Sequence, residues 1–513
     1  MARRAKPRAQ SGDGGDAFSV LFCLFATALV MTAALWFVFK TGNTLRFGDA
    51  EAHLNIARRI IDSRTPGWAQ VGTTWLPLPH LLMLPLVRID SLWQTGLAGA
   101  IPSALCMTAA TTFLFAAVQR VLGAAAGTAA AAVFLLNPNT LYLGSIPMTE
   151  AVFFAALFAV LYFTLLPGWG GVFGAAFAAL AGSLTRYEAW FLLPFVALYV
   201  LLQGGDRRWA KAMVFCCIAG AGPLLWFAHN WWYFNDALYF YRGPYSAISI
   251  QGKAPYPGRG DWRMALQYYG TAAQLLCGWP VFVLGLAGCF AAWSRKVLWP
   301  LFLLALPPVF YVWSIHSSST PIHIPTLAPF SYYNTRYALA LLPLAAFGCA
   351  GIGRFGKIFA ALVILASISP FLLHPTEPPL TWKESDENSR YRLEWVRQAT
   401  NFLRANAAPQ DTYFTSFNDI TAIYRTLGVP LRHTLTGDMN PDFALAEIRP
   451  DLFLHQNWAV VMGGDYVQGI IDKARLKGPR YELAHRIVVK YSPVIEIYQR
   501  YETPVLETPR REK

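Results

Sequence analysis

Three ionisable residues lie two positions apart in the stretch FGDAEAHLNIARR, which begins at Phe47: Asp49, Glu51 and His53. If the stretch is helical, Asp49 and His53 share one face, because residues four apart are neighbours on a helix. A carboxylate held in this way can take a proton from a reacting hydroxyl or amine. Carboxylates also bind Mg²⁺ or Mn²⁺, and histidine admits Zn²⁺. The spacing therefore indicates a candidate metal site at Asp49 and His53, with Glu51 as a further ligand.

The same stretch also has a purely structural interpretation. Asp49 follows Gly48 as a helix N-cap would, and Glu51 in the first turn suits the helix dipole. The segment AEAHLNIARRII would then be an amphipathic helix on the membrane surface, with Leu54, Ala57 and Ile61 facing lipid. Capping accounts for the acids but leaves other polar groups on the same predicted side unexplained.

Those other groups are scattered along the sequence and flank apolar segments. Glu150 ends GSIPMTE, Arg186 and Glu188 lie in SLTRYEAW, His80 lies in WLPLPHLLMLPLV, and Arg336 ends SYYNTR. Ionisable residues near a membrane are functional candidates by default. Any one of them is equally well explained as a surface charge. Five on one predicted face favour a site, to which Glu150 and His80 would also bring metal-ligating atoms.

The elements that must position these residues are apolar helices. Hydrophobic residues make up 55% of the 513 and charged residues only 14%, whereas soluble domains carry about 25% charged residues. Apolar windows of roughly 17–25 residues, long enough to span a bilayer, recur along the chain. We predict a polytopic α-helical membrane protein with about eleven spans, at about 18–40, 95–119, 124–144, 150–167, 171–185, 188–203, 210–229, 271–293, 297–314, 337–352 and 357–373.

The net charge of +13 orients these spans and does not indicate nucleic-acid binding. Basic residues cluster before the first span and in loops that share one side if the N-terminus is inside, as the Lys/Arg bias requires. They are Arg3, Arg4, Lys6, Arg8, Arg207, Arg208, Lys211, Arg295, Lys296, Arg354 and Lys357. An odd number of spans then places the C-terminus outside. We expect a multi-pass protein of the plasma (inner) membrane.

The predicted organisation has three parts: a basic cytoplasmic N-terminus at 1–17, a transmembrane domain at 18–373 and an extracytoplasmic α/β domain at 374–513. Long outer loops at 41–94, 230–270 and 314–336 carry the candidate residues and many aromatics. In the tail, YRLEWVRQATNFLRANAAPQ and DYVQGIIDKARLKG are predicted helices, and DTYFTSF, WAVVMGG and SPVIEIYQR are predicted strands.

These motifs resemble a known family. GDAEAHLNIARRI with the following WLPLPHLLMLP, then MTEAVFF, LTRYEAW and YYNTRYALALLP, are similar to those of the GT-C membrane glycosyltransferases. Within them, the chain resembles the protein O-mannosyltransferase and aminoarabinose transferase group. The likeness covers about residues 18–373 in organisation. The acidic motif is D-x-E here, where several relatives have D-E or D-x-D.

The resemblance implies an enzyme that transfers a sugar, with inversion, from a polyprenyl phosphate to an acceptor on a protein, glycan or lipid. It implies Asp49 as general base with Glu51 beside it, and Arg336 first and Arg186 second as partners of the lipid phosphate. Glu150 and Glu188 would orient these arginines or bind sugar hydroxyls. The implied substrate-binding set is His53, His80, Glu150, Arg186, Glu188, Arg336 and Tyr337. No cofactor is required by this chemistry, and a divalent metal remains an alternative.

Two other classes of function fit parts of the sequence. A secondary transporter places ionisable groups near the bilayer midplane, often in repeated halves, whereas here the charges lie at the predicted outer edge. A lipid flippase would share a lipid groove and would need no base. Changing Asp49 to Asn separates the flippase from the enzyme, because only the enzyme depends on that carboxylate.

Overall fold

The computed structural model describes residues 13–203, 205–294, 296–437, 439–477 and 480–501. Within them the chain forms two compact units. The helical unit comprises Met1–Gly42, Thr73–Pro79 and Ala100–Glu384, and the mixed unit comprises Asn43–Gly72, His80–Gly99 and Ser385–Lys513. The basic residues predicted before the first span, and Arg295, lie outside the described residues.

The helical unit is built from apolar helices joined by short connections. Their bounds are Asp13–Lys40, Leu97–Leu122, Ala124–Leu135, Pro138–Leu143, Glu150–Thr164, Gly168–Ser183, Tyr187–Leu202, Arg208–Phe234, Tyr239–Arg242, Ala247–Gln251, Trp262–Cys277, Trp279–Ala291, Leu298–Ser317, Leu342–Gly353 and Lys357–Leu373, with a 3₁₀ helix at Thr335–Leu341.

Membrane-spanning helices are present in the described residues. Five are long and apolar enough to cross a bilayer, and six if a bent pair counts as one span. The five are Ala17–Lys40, Leu97–Leu122, Arg208–Phe234, Leu298–Ser317 and Thr335–Gly353. Shorter apolar helices lie at Leu78–Val87, Ala124–Leu135, Glu150–Thr164, Tyr187–Leu202 and Lys357–Leu373. The protein is therefore a helical membrane protein, and the number of eleven spans stays a prediction.

Two segments predicted as continuous spans are broken. The helices Trp262–Cys277 and Trp279–Ala291 meet at an angle of 104°, because Gly278 has φ +80° and Pro280 starts the second helix. The predicted span 271–293 is therefore not one straight helix, and a single crossing by the bent pair stays a prediction. The predicted span 124–144 is also interrupted, since Asn137 and Pro138 start a new helix after Leu135, and its crossing of the membrane stays a prediction.

Two helices of the helical unit pack backbone against backbone. A Cβ at Gly288 would lie 1.8 Å from the carbonyl oxygen of Gly348, and one at Gly351 would lie 2.1 Å from that of Gly288. Small residues allow membrane helices this close approach. The contact fixes the helix Leu342–Gly353, which continues directly from the 3₁₀ turn that carries Arg336.

The mixed unit combines helices with one sheet. Its helices are Gly48–Arg59, Asp90–Thr95, Thr421–Leu427, Pro441–Ile448, Pro450–Phe453 and Tyr466–Lys477, with 3₁₀ turns at Trp68–Val71 and Leu431–His433. The helices Leu78–Val87 and Leu380–Asn406 begin with residues of the helical unit, up to Pro79 and Glu384, and continue in the mixed unit. Its strands are β1 (Tyr413–Thr415), β2 (Thr434–Leu435), β3 (Trp458–Met462), β4 (Arg480–Ile487) and β5 (Ile495–Tyr501). In the described residues they form one sheet of order β2-β1-β3-β5-β4.

The sheet is parallel on one side and antiparallel on the other. Strand β1 pairs in parallel with β2 and β3, and β5 is antiparallel to β3 and β4. The predicted strands β1, β3 and β5 and the two predicted tail helices are confirmed. The sequence analysis missed β2 and β4.

The core of the mixed unit joins the first predicted outer loop to the tail. Leu54 and Ala57, both fully buried, belong to one apolar cluster with Trp395 and Ile423. The interpretation of this segment as a surface helix with Leu54 and Ala57 facing lipid is therefore wrong. The compact units thus divide the chain differently from the predicted domains, which assigned loop 41–94 to the transmembrane domain.

Candidate functional site

A buried charged cluster occupies the helical unit where two helices begin. Glu150 is the first residue of Glu150–Thr164. Arg186 immediately precedes Tyr187–Leu202, and Glu188 lies in the first turn of that helix. Acidic side chains are favoured at helix N-termini by the peptide dipoles. The sequence thus places both carboxylates, 4% exposed each, at positions that stabilise a negative charge.

Arg186 connects these carboxylates. Its Nη1 donates to Glu150 Oε1 at 3.0 Å and to the hydroxyl of Thr149 at 2.5 Å, and its Nε pairs with Glu188 Oε1. Its Nη2 donates to the hydroxyl of Tyr311 at 2.7 Å. Burial by itself would lower the pKa of Arg186, but the charge of Glu188, with Tyr311 and Glu150, raises it well above its usual range.

Arg336 shares one of the carboxylates with Arg186. Its Nε lies 3.2 Å from Glu150 Oε1, and its side chain is only 8% exposed. Both guanidinium groups lie over the ring of Tyr337, at 5.6 Å for Arg186 and 5.1 Å for Arg336. Tyr337 in turn stacks on Tyr311, with ring centroids 4.8 Å apart. The cluster therefore has two fixed cations against an aromatic wall.

Two buried oxygen atoms of this region have no hydrogen-bond partner among the described residues. They are Oε2 of Glu150 and the hydroxyl of Tyr269, whose ring is stacked 6.4 Å from that of Tyr311. Leaving such a group unpaired costs about 1–3 kcal/mol. A ligand hydroxyl that bonds to Glu150 Oε2 would recover this cost.

A further acid supports the turn that carries Arg336. Both the backbone N–H and the hydroxyl of Thr335 donate to Glu384 Oε2, the former at 2.9 Å. Burial raises the pKa of the Glu384 carboxyl, while the nearby charge of Arg336 and the Thr335 donors lower it, and burial prevails. Glu384 therefore fixes the backbone next to Arg336.

The acidic motif of the first loop lies in the mixed unit, on the helix Gly48–Arg59. Asp49 is half-buried in the first turn, and the N-cap is Phe47, so the interpretation of Asp49 as the N-cap is wrong. Glu51 is 3% exposed. Its Oε1 accepts from Asn55 at 2.9 Å and from Arg425 Nε at 2.6 Å. Glu51 thus ties this helix to Thr421–Leu427.

His53 and His80 form a buried pair in the same unit. The Nδ1 of His53 lies 3.0 Å from the Nε2 of His80, and the two residues are 2% and 0% exposed. Among the described residues, no three His, Cys, Asp or Glu side chains are grouped so that they could hold a metal ion. A metal site built from Asp49, Glu51 and His53 is therefore not preformed among the described residues.

The structure brings some predicted site residues together and adds others. Glu150, Arg186, Glu188, Arg336 and Tyr337 meet in the helical unit, and His53 and His80 meet in the mixed unit. The sequence analysis missed the contacting residues Thr149, Tyr269, Tyr311, Glu384 and Arg425. Thr149 adjoins Glu150 and was within reach of sequence reasoning, whereas Tyr311 lies inside an apolar helix without any local signal.

The fold and the cluster define a class: a polytopic helical membrane protein with a buried arginine–carboxylate site and an α/β sheet. The chain resembles solved structures in its fold. One is ArnT from Cupriavidus metallidurans bound to undecaprenyl phosphate, with a TM-score of 0.57 and 13% identity over 91% of this chain and 97% of that one. Another is the apo state of the same protein, with a TM-score of 0.54 and 13% identity over the same shares.

These likenesses show that the chain shares the overall fold of those structures. At 13% identity they show the fold alone. No protein-family model matches the chain, and no curated protein matches it.

Proposed function

We propose that this chain is a membrane glycosyltransferase. It takes a sugar from a polyprenyl phosphate and transfers it, with inversion, to a hydroxyl or amine of an acceptor on the extracytoplasmic side. The acceptor belongs to a protein, a glycan or a lipid. No cofactor is required, because a base and fixed cations supply the chemistry.

The observation that carries the proposal is the pair of arginines around Glu150. An arginine never deprotonates in a protein and binds phosphate with two parallel bonds. Two such cations, held in fixed positions by buried carboxylates and tyrosines, support the proposal of a site for an anionic group. The fold of the chain is that of a protein solved with undecaprenyl phosphate, which supports a lipid phosphate as this anion.

The proposed reaction is a single displacement. The carboxylate of Asp49 accepts the proton of the acceptor group, whose oxygen or nitrogen attacks the anomeric carbon of the sugar. The bond from that carbon to the phosphate oxygen breaks, and its electron pair leaves with the polyprenyl phosphate. Arg336 and Arg186 stabilise the negative charge on the departing phosphate, and Oε2 of Glu150 accepts a hydrogen bond from a sugar hydroxyl.

We assign the other predicted site residues supporting roles. Glu188 holds Arg186 in place through their ion pair, and Tyr337 supplies the aromatic wall for both arginines. Glu51 acts by fixing the helix that carries Asp49, since Arg425 occupies its carboxylate. His53 and His80, as a pair, fix the same helix to Leu78–Val87.

The test is transfer by the purified protein with a series of polyprenyl-phosphate sugars and candidate acceptors. Asp49→Asn keeps the shape of the side chain and removes its basicity. We expect it to retain donor binding and to reduce transfer at least about a hundredfold, the scale of a lost general base.

Asp411→Asn, in the turn before strand β1 of the mixed unit, is the matched control and should leave transfer unchanged. Near-normal transfer by Asp49→Asn would remove Asp49 from the role of base. Movement of the donor across the membrane by both wild type and Asp49→Asn, without sugar transfer, would show a flippase instead.

A further inference from the structure

A groove opens in the helical unit, away from the charged cluster. It has a volume of about 640 Å³. Tyr199 and Gln203, at the end of the helix Tyr187–Leu202, contribute to its wall. Arg186 precedes the start of this helix of 16 residues, so the groove and the charged cluster are separated by roughly 24 Å at 1.5 Å per residue. The other lining residues are Arg120, Val121, Leu165, Lys296, Leu298, Trp299 and Phe302.

The floor of the groove is a fixed aromatic pair. Tyr199 and Trp299 stack with ring centroids 3.7 Å apart and planes 7° apart. The indole N–H of Trp299 donates to the hydroxyl of Thr164 at 2.9 Å, and Trp299 is only 9% exposed. The pair is therefore held in place from three helices, and the groove is preformed.

Two cations line the rim of the groove. Arg120 and Lys296 are both exposed, and the residues that line the groove include no aspartate or glutamate. Arg120 Nε donates to the carbonyl oxygen of Leu165 at 3.2 Å, which orients the guanidinium. Neither cation forms an ion pair with a described carboxylate, so the terminal nitrogens of Arg120 and the ammonium of Lys296 are available to an anion.

Beside these cations the wall is apolar and open. Leu298 is 43% exposed and Phe302 is 45% exposed. A cationic rim next to open apolar side chains matches a ligand with an anionic head and a hydrocarbon tail. Gln203 is followed in sequence by Arg207 and Lys211, basic residues at the start of the helix Arg208–Phe234, and the charge bias predicts that this end faces the cytoplasm. Basic pockets between helices on that side bind anionic lipid head groups.

We propose that this groove binds an anionic phospholipid of the cytoplasmic leaflet. Arg120 and Lys296 hold its phosphate, and an acyl chain lies along Leu298 and Phe302. The stacked pair of Tyr199 and Trp299 bounds the head group on the inner side. The site is separate from the charged cluster and does not depend on the proposed glycosyl transfer.

The experiment is native mass spectrometry of the full-length protein released from detergent, with lipids added at known concentrations. The probes are phosphatidylglycerol, phosphatidylcholine with the same acyl chains, and glycerol 3-phosphate, which lacks acyl chains. The variant is Arg120→Ala with Lys296→Ala. Both side chains are exposed, so folding should be retained, and the melting temperature of the variant checks this. The matched control is Arg354→Ala with Lys357→Ala, two exposed cations in another loop on the predicted cytoplasmic side.

We expect wild type to bind one phosphatidylglycerol at least about tenfold more tightly than phosphatidylcholine. In the groove variant, the ratio of phosphatidylglycerol affinity to phosphatidylcholine affinity should fall about tenfold or more. In the control variant, this ratio should stay as in wild type. Equal binding of phosphatidylglycerol by wild type and the groove variant would overturn the site. Binding of glycerol 3-phosphate as tight as that of phosphatidylglycerol would overturn the lipid assignment and show a site for soluble phosphate esters. If the double variant proves unstable, Lys296→Glu alone must weaken phosphatidylglycerol binding, or the proposal fails.

Discussion

Arg336 is distinguished from a simple membrane anchor by what surrounds its guanidinium. Its Nε lies 3.2 Å from a Glu150 oxygen that also accepts from Arg186, and its side chain is 8% exposed. A lysine would reach the interface as an anchor does, but an ammonium cannot make two parallel bonds to a phosphate. We expect Arg336→Lys to be produced and inserted normally and to weaken donor use about tenfold or more, because a charge-assisted hydrogen bond contributes about 1.5–3 kcal/mol.

The measurement is the rate of transfer against donor concentration for wild type and variant. Arg354→Lys is the control, since Arg354 is exposed at the end of a helix in the same unit and should tolerate the change. If Arg336→Lys shows the same dependence of rate on donor concentration as wild type, Arg336 is a membrane anchor. Arg186 would then be the remaining candidate for the phosphate ligand.

The two acids of the D-x-E motif have different surroundings, so their variants should fail in different ways. Glu51 is paired with Arg425 inside the mixed unit, at 2.6 Å with side chains 4% and 12% exposed. Removing one partner of a buried pair leaves an uncompensated charge and costs about 3–5 kcal/mol. We expect Glu51→Ala to lower the free energy of unfolding by about this amount, whereas Asp49→Asn, which keeps the size and the hydrogen-bonding oxygen of the side chain, should lower it less.

Chemical denaturation of the purified protein, followed by the fluorescence of its tryptophans, measures the difference. Glu51→Ala combined with Arg425→Met should recover part of the loss, because the double variant no longer buries a lone charge. A full loss of transfer in a Glu51→Ala protein with wild-type stability would show that Glu51 acts in catalysis directly.

The charged members of the site could be predicted from sequence, but their neighbours could not. Glu150, Arg186 and Arg336 stand out in the sequence because placing a charge beside a membrane segment costs free energy. Such residues are therefore functional candidates. Tyr311 and Tyr269 do not stand out, since tyrosine is common in such helices. The sequence does not show which group the tyrosine hydroxyl contacts. Arg425 and Glu51 are 374 residues apart, and no local pattern relates positions so distant.

At the scale of elements, the 3₁₀ turn Thr335–Leu341 depends on the start of the helix Leu380–Asn406. Burial raises the pKa of Glu384, which accepts from both donors of Thr335. The pKa of a glutamate in the unfolded chain is about 4.3. When folding raises that pKa, the protonated carboxyl stabilises the folded state, and this stabilisation is complete below the unfolded pKa. The stabilisation is lost as pH rises through the folded pKa. We therefore expect Glu384→Gln to gain stability relative to wild type as pH rises from about 4.3 through the folded pKa.

Thermal unfolding of both proteins across this pH range gives the difference in melting temperature at each pH. Glu387→Gln is the control, because Glu387 is a half-exposed residue of the same helix that pairs with Arg390. Its melting temperature should follow that of wild type throughout. A difference between Glu384→Gln and wild type that is the same at every pH would contradict a raised pKa.

Helices and strands whose apolar residues recur at a regular spacing were predictable from the sequence. Elements in which this spacing is interrupted were not. The strands β1, β3 and β5 and the helix Tyr466–Lys477 were predicted because their apolar residues recur at the period of their structure. The alternation of strand β4 is broken at Leu483 and Ala484, beside a register shift between Leu483 and His485, and β2 has only two residues. The bend at Gly278 escaped prediction because hydropathy does not register a positive φ at one glycine.

At the scale of the whole molecule, the sequence did not predict that the first outer loop and the tail fold as one unit. An amphipathic pattern on Gly48–Arg59 shows that one face is buried, and it does not show what covers that face. The membrane surface was one answer, and the structure gives another, a core that joins Leu54 to Trp395 and Ile423. Because the loop and the tail share a core, they must lie on the same side of the membrane.

That requirement sharpens the prediction of topology. With the N-terminus inside, the charge bias places Lys211 in the cytoplasm and the tail outside, together with the loop that carries Asp49. Reporters that are active only in the cytoplasm or only outside it, fused after Lys211 and after residue 513, test both positions. We expect a cytoplasmic signal from the first fusion and an external signal from the second.

A cysteine at position 464, in the turn after strand β3, should react with an impermeant thiol reagent in intact cells, and one at position 357 should not. A cytoplasmic signal from the second fusion would place Asp49 inside as well and would remove the proposed site from the extracytoplasmic face.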